Sequence, residues 1–172
     1  MKNLKIMTLF FMHCSILKKV ISVVSIVILL ITACGCSAQK SYDLNEISEA
    51  IVGTTEFSEL KELSGTTLTS YFGFQDSDVK RFNVKVSATA ESADTVACFE
   101  VNDKAGQEKV VSGISNYLTG RATSFKATME SEYNKVQSRL LVQVDNVIIL
   151  VVCSDYAPVT EYLNDLGAKE VI

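Results

Sequence analysis

The chain has 172 residues, with sixteen Lys or Arg, twenty Asp or Glu and a single His, a length that suits one domain. All twenty acidic residues follow Cys34, while Lys2, Lys5, Lys18 and Lys19 precede it, so the part from Cys34 onward sets twelve basic against twenty acidic side chains and carries a formal charge of −8. A domain this acidic is repelled by polyanions, which argues against nucleic acid as a partner.

The N-terminal part reads as an address. Lys18 and Lys19 precede an uncharged apolar run, Val20 to Ala33, which ends in Ile31-Thr32-Ala33-Cys34. Basic flank, short apolar core and small residues before a cut are the layout of a secretory signal. The run is shorter than the roughly 20 residues that a membrane-spanning helix needs. Its ending resembles the bacterial lipoprotein signal, in which a branched residue, a small residue and Ala or Gly precede a Cys that takes a diacylglycerol thioether. Cleavage between Ala33 and Cys34 and lipidation of Cys34 follow as expectations. Cys36 is a poorer acceptor, because Ala33 stands three positions before it. Residues 1–33 are then the signal peptide, with Met1, Met7 and Met12 as alternative starts, and residues 34–41 the acylated Cys and its tether. Residues 42–172 form one extracytoplasmic domain. The seven tether residues after Cys34 reach at most roughly 25 Å, so the domain sits near the bilayer.

In the domain, Asp43-Leu44-Asn45-Glu46 pairs a capping side chain with Glu three residues on and predicts a helix from Leu44 that buries Leu44, Ile47, Ala50 and Ile51 and ends at Gly53. Thr54 and Thr55 cap a predicted second helix with Phe57, Leu60 and Leu63 on one face, stopped by Gly65. A short helical turn over Leu68 to Phe72 follows. Asp76-Ser77-Asp78 reads as a solvated turn, since a calcium loop needs more ligands and a closing Glu.

From Val79 the period becomes two, with Phe82, Val84, Val86 and Ala88 inward and Arg81, Asn83, Lys85 and Ser87 toward water. Thr95 to Val101 returns as a second strand after a turn at Glu91-Ser92-Ala93. Asn102-Asp103 offers a cap to a long helix whose apolar residues from Val110 to Val136 step by three and four. A span of that length predicts a break between Phe125 and Glu130. Leu140 to Val144, the turn Asp145-Asn146, and Val147 to Cys153 form a second hairpin whose apolar second arm belongs inside the sheet. Asp155 to Leu166 closes the chain as a helix with Pro158 in its first turn and Gly167 past its end.

The lipoprotein signal, the Asp43-Leu44-Asn45-Glu46-Ile47 start, Tyr71-Phe72-Gly73-Phe74, Ala93-Asp94-Thr95-Val96-Ala97, Arg121 and Phe125, and the strand Val147 to Asp155 together resemble the small bacterial lipoproteins grouped as domain of unknown function 4358. The likeness runs from about Tyr42 to Gly167. It implies a Gram-positive cell-surface lipoprotein, and it transfers neither an activity nor catalytic residues. Glu132-Tyr133 departs from the Tyr-x-Pro break of that pattern, so the resemblance does not place the kink.

For catalysis the domain offers little. His13 leaves with the signal, which removes the commonest general base and any Ser-His-Asp or Cys-His arrangement. No paired CxxC spacing or imidazole suggests zinc, and no cofactor motif is visible, so no metal or cofactor is expected. Carboxylate pairs such as Glu91 with Asp94, or Glu130 with Asp155, leave hydrolysis as a minor alternative. A two-lobed solute receptor needs two domains, so a non-catalytic binding or adaptor module of the envelope, with an unidentified protein or ligand partner, ranks above the capture component of a transporter. The expected fold is a two-layer α+β domain of ββαββα order, a mostly antiparallel four-stranded sheet with helices on one face, preceded by short N-terminal helices. Cys98 and Cys153, each flanked by apolar residues, are expected as inert core thiols rather than a disulfide.

Overall fold

The computed structural model describes residues 40–171. The expected signal segment, the expected cleavage site at Ala33 and Cys34, and Cys36 lie outside the described residues. In chain order the elements are α1 (Leu44–Thr54), β1 (Leu60–Glu62), α2 (Gly65–Phe72), a 3-10 turn (Asp76–Asp78), β2 (Arg81–Ser87), β3 (Thr95–Glu100), α3 (Lys104–Phe125), α4 (Glu130–Ser138), β4 (Leu140–Val144), β5 (Val147–Val152), α5 (Ala157–Asp165) and β6 (Lys169–Glu170). The class is α+β, and the ββαββα order holds from β2 to α5. The sheet has six strands rather than four, ordered β1-β2-β3-β5-β4-β6 with every neighbour antiparallel.

The two added strands are short edges. Residues 60–62 pair with β2, Leu60 opposite Ser87 and Glu62 opposite Lys85, where a helix was expected. Helical spacing misled there because Phe57 and Leu63 serve different cores: Leu63 packs with α2 and α3, and Phe57 with α1 and α5. Gly65 opens α2 instead of stopping a helix. β6 is only two residues, set against Val142 and Gln143 of β4.

Helices cover both faces of the sheet, not one. Alternation along each strand decides this. Val84, Ala97, Phe99, Ile148, Leu150 and Val152 point to one side, where Leu68, Phe72, Val110, Ile114, Phe125 and Val136 from α2, α3 and α4 meet them. Val96, Cys98, Val147, Ile149 and Val151 point to the other, where Leu44, Ile47 and Ile51 of α1 and Val159 and Leu163 of α5 meet them. β3 and β5 are buried at every residue, so neither face can be left to water. The face of β2 expected in solvent lies partly under α1: Asn83 is only 4% exposed, and Lys85 reaches Glu49 of α1 in an ion pair.

Local chemistry explains the helix ends. Asp43 accepts from the backbone N–H of Asn45 and Glu46 and caps α1; Asp103 accepts from Gly106 at 2.8 Å and caps α3. The expected break falls at residues 126–129, with Met129 N–H still donating to Phe125 C=O at 2.9 Å. Gly113 sits where α3 crosses the end of α2: a Cβ there would stand 2.4 Å from Phe72 O and 2.5 Å from Phe74 Cδ1. The Asp145-Asn146 turn takes positive φ at Asp145, 51°, as the hairpin requires.

Cys98 and Cys153 are free and buried. Cys98 lies opposite Ile149, four residues before Cys153, which separates the two by roughly 13 Å along the strand, too far for a disulfide. Burial pushes the Cys98 thiol up to about 12 and the Cys153 thiol up to about 11, from an ordinary 9.0.

Two tests follow from this core. Leu150 is fully buried at the centre of β5, so Leu150→Asp places a carboxylate where no partner stands; the cooperative thermal transition should disappear, and a variant melting within a few degrees of the parent would remove β5 from the sheet centre. The raised Cys98 pKa means that the unfolded chain loses its thiol proton first as pH rises. The fold therefore keeps its full stability below pH 9 and loses it progressively toward pH 12. By pH 10.5 this amounts to about 2 kcal/mol for Cys98. In urea titrations at pH 7 and pH 10.5, Cys98→Val should lose less stability between the two than the parent; equal losses would show that Cys98 does not titrate in this way.

Candidate functional site

Residues that carry the family resemblance converge around the start of β3. Asp94 is 2% exposed. Its Oδ1 accepts from Lys135 Nζ of α4 at 3.0 Å and its Oδ2 from the backbone N–H of Ser58 at 2.7 Å. Glu132, one turn before Lys135, closes the cluster: its Oε1 lies 3.0 Å from Lys135 Nζ, and its Oε2 accepts from Ala93 N–H at 2.8 Å. Arg121 of α3 donates to Ser92 C=O and stacks over the Phe125 ring, 4.5 Å from its centroid. Thr95 Oγ1 meets Tyr117 OH at 2.9 Å. Cys153 joins from the far side, its N–H donating to Tyr156 OH at 3.1 Å, while Tyr156 OH donates to Lys135 C=O at 2.8 Å.

Burial opposes the charge on Lys135, but the hydrogen bonds and charges of Asp94 and Glu132 outweigh it and hold the ammonium above its ordinary 10.5. Burial likewise pushes up the hydroxyls of Tyr156 and Tyr117, so both remain protonated donors. With both Asp94 oxygens occupied, this cluster braces the β2–β3 turn against α4.

The other end of β3 repeats the device. Glu100 is 4% exposed, and its carboxylate accepts from Lys80 Nζ at 2.7 Å, Arg81 Nε at 2.6 Å and Asn146 Nδ2 at 3.1 Å. Burial raises its pKa, yet these three donors together bring it below its ordinary 4.5. Arg81 also donates to Tyr42 C=O at 3.0 Å, and Tyr42 OH to Asp145 Oδ2 at 2.7 Å, which fastens the start of the domain to the β4–β5 turn.

Neither carboxylate pair weighed from sequence shares a hydrogen-bonding partner among the described residues. Glu91 is exposed, whereas the Asp94 carboxylate is buried and held by Lys135 and Ser58. Glu130 and Asp155 are both exposed, and Asp155 Oδ1 accepts from Ala157 N–H at 3.0 Å. Asp78 accepts from Lys109 Nζ at 2.6 Å and from Gln75 N–H at 3.0 Å, with Lys109 foremost in holding its pKa down. Among the described residues no three His, Cys, Asp or Glu side chains stand together as a metal would need.

Sequence reasoning missed Lys135, Glu132 and Glu100. The hairpin register could have exposed the last, because pairing β2 with β3 about their turn sets Arg81 opposite Glu100. Nothing local links Lys135 to Asp94, forty-one positions away. Around these clusters the surface forms open grooves along α3, one of about 440 Å³ beside Tyr71, Tyr117 and Arg121 and one of about 630 Å³ beside Phe74, Asp78 and Lys109.

An α+β domain with a six-stranded antiparallel sheet and a braced β2–β3 turn is thus the class defined here. A family model described as Domain of unknown function (DUF4358) matches residues 54–153, more than half of the chain, and the chain belongs to that family. The match is narrower than the likeness from Tyr42 to Gly167, and it leaves out α5 and all but the last residue of α1. No curated protein and no solved structure matches the chain.

The Asp94 cluster gives a direct test. Lys135→Met leaves the Asp94 carboxylate buried with only the Ser58 N–H, which should cost roughly 3 kcal/mol at pH 7. Adding Asp94→Asn removes the stranded charge and should recover a good part of that loss. In urea denaturation, a double variant as unstable as the sum of the two single variants would show that Lys135 and Asp94 are not coupled.

Proposed function

We propose that this protein is an extracytoplasmic lipoprotein, anchored to the cell membrane by an acyl thioether at Cys34, whose single domain serves as a non-catalytic binding or adaptor module. The observation that carries the reading is Ile31-Thr32-Ala33-Cys34 at the end of an apolar run behind Lys18 and Lys19. Small side chains at Thr32 and Ala33 leave the backbone open to modifying and cutting enzymes, and a thiol is the nucleophile that a thioether requires. Two further features support the module reading. The buried carboxylates Asp94 and Glu100 are each held by two or more internal donors and serve the fold. The domain begins eight residues after Cys34, so a partner would meet it close to the bilayer.

Cells producing the parent and Cys34→Ala chains should be fractionated and crosslinked in place. The variant should appear in the soluble fraction or stall as precursor, and a protein crosslinked to the parent should be lost from it. Recovery of Cys34→Ala at mature size in a form that needs detergent would overturn the anchor. A crosslinking pattern identical for anchored and released chains would overturn the role at the membrane.

A further inference from the structure

α3 and α4 do not reach far enough to cover β4. Where they end, Leu141 of β4 borders a groove of about 390 Å³ whose partly exposed apolar lining is Ala122, Tyr133 and Leu141, with Leu118 and Val136 buried beneath them. One wall is the α3 row Ser115, Thr119 and Thr123. Each of these hydroxyls donates to the carbonyl one turn back, at 2.9, 2.8 and 2.8 Å, so the wall presents methyl groups and lone pairs but no free proton. The remaining donors of the groove come from Tyr133, Gln137, Lys126 and Arg139.

Charge separates this groove from its neighbours. No Asp or Glu lines it, in a domain whose acidic residues outnumber the basic ones by twenty to eleven. Among the described residues, neither Lys126 nor Arg139 belongs to a salt bridge, and the one hydrogen bond from the Arg139 guanidinium goes to Gln137 C=O at 3.0 Å. The adjoining groove toward α5 contains Glu170, and the broad groove beside Phe74 contains Asp78 and Glu108. Arg121, in the groove beside Tyr71, is already engaged by Ser92 and Phe125. Two cations with no carboxylate partner, beside partly exposed apolar side chains, are complementary to an anion with an apolar body. The volume lies near the small end of ligand pockets, about 300 to 1,000 Å³, and suits a small molecule.

We propose that the groove where α3, α4 and the start of β4 meet binds a small organic anion, its apolar body on Ala122, Tyr133 and Leu141 and its carboxylate held by Lys126 and Arg139. This names the ligand class of a binding module and rests on that part of the proposed function. It does not depend on the anchor, which the fractionation of Cys34→Ala tests whatever happens here.

The test uses the full-length chain in lipid nanodiscs, titrated calorimetrically with hexanoate, acetate, hexylamine and hexan-1-ol, with empty nanodiscs subtracted. Hexanoate should bind saturably, and the other three should bind at least roughly tenfold more weakly, because each lacks either the charge or the body. Lys126→Gln combined with Arg139→Gln, both at exposed positions, should weaken hexanoate by roughly tenfold or more without changing the melting temperature. Absence of saturable hexanoate binding, equal binding of hexylamine or acetate, or parent-like binding by the double variant would each overturn the proposal.

Discussion

The pairing of β3 with β5 is the constraint from which the rest of the domain follows. Thr95 faces Val152 and Glu100 faces Val147 across six residue pairs, and every residue of both strands is buried. Sheets covered on both faces read as unbroken apolar runs rather than alternating ones, and TVACFE and VIILVV are such runs. Two strands of that kind cannot form the floor of a two-layer domain. They oblige the chain to supply helices twice, α2 to α4 on one side and α1 with α5 on the other. The family match, ending at Cys153, includes the first set and leaves out the second. The matched segment thus holds β1 to β5 with the long-helix side, while α1 and α5, at and beyond its borders, close the opposite face.

Both ends of β3 carry a carboxylate that would be costly to bury alone. Asp94 precedes the strand and Glu100 finishes it, and each is satisfied by elements distant in sequence, Ser58 and Lys135 for one, Lys80, Arg81 and Asn146 for the other. A slip of one residue between β2 and β3 would turn the core side chains to the wrong face and carry Glu100 away from Arg81. Hydrophobic burial supplies the driving force, and the two ionic clusters select one register from those that burial alone would accept.

Much of this fold was legible in the sequence because the signals were local. Asp43 and Asp103 announced the helix starts, Asp145-Asn146 the hairpin, and the step of three and four from Val110 to Val136 the long helix with its interruption. What escaped was set by tertiary contact. Residues 60–62 are a strand because β2 offers an open edge, whatever their own spacing suggests. Helices on one face were expected because Asn83 and Lys85 look like solvent-facing residues, whereas α1 covers that side and brings Glu49 to Lys85. The setting of Asp94 has the same origin: its neighbour in sequence, Glu91, is exposed, and its charged partner in the fold is Lys135. The groove above Leu141 had no local signal either, since its two cations stand thirteen positions apart on different elements.

The borders of the sheet carry a consequence for how copies of the chain behave together. β1 has three residues and β6 two, and Lys61, Glu62, Lys169 and Glu170 on them are exposed and charged. A strand border is a template onto which another chain can add, and its danger grows with length, flatness and apolar character. Here the adhesive strands β3 and β5 are walled in at the middle, and the outer borders are too short and too polar to seed cross-molecular stacking. Molecules of this protein crowded at high density should stay separate through geometry at the sheet's margins, with no need for a guarding partner.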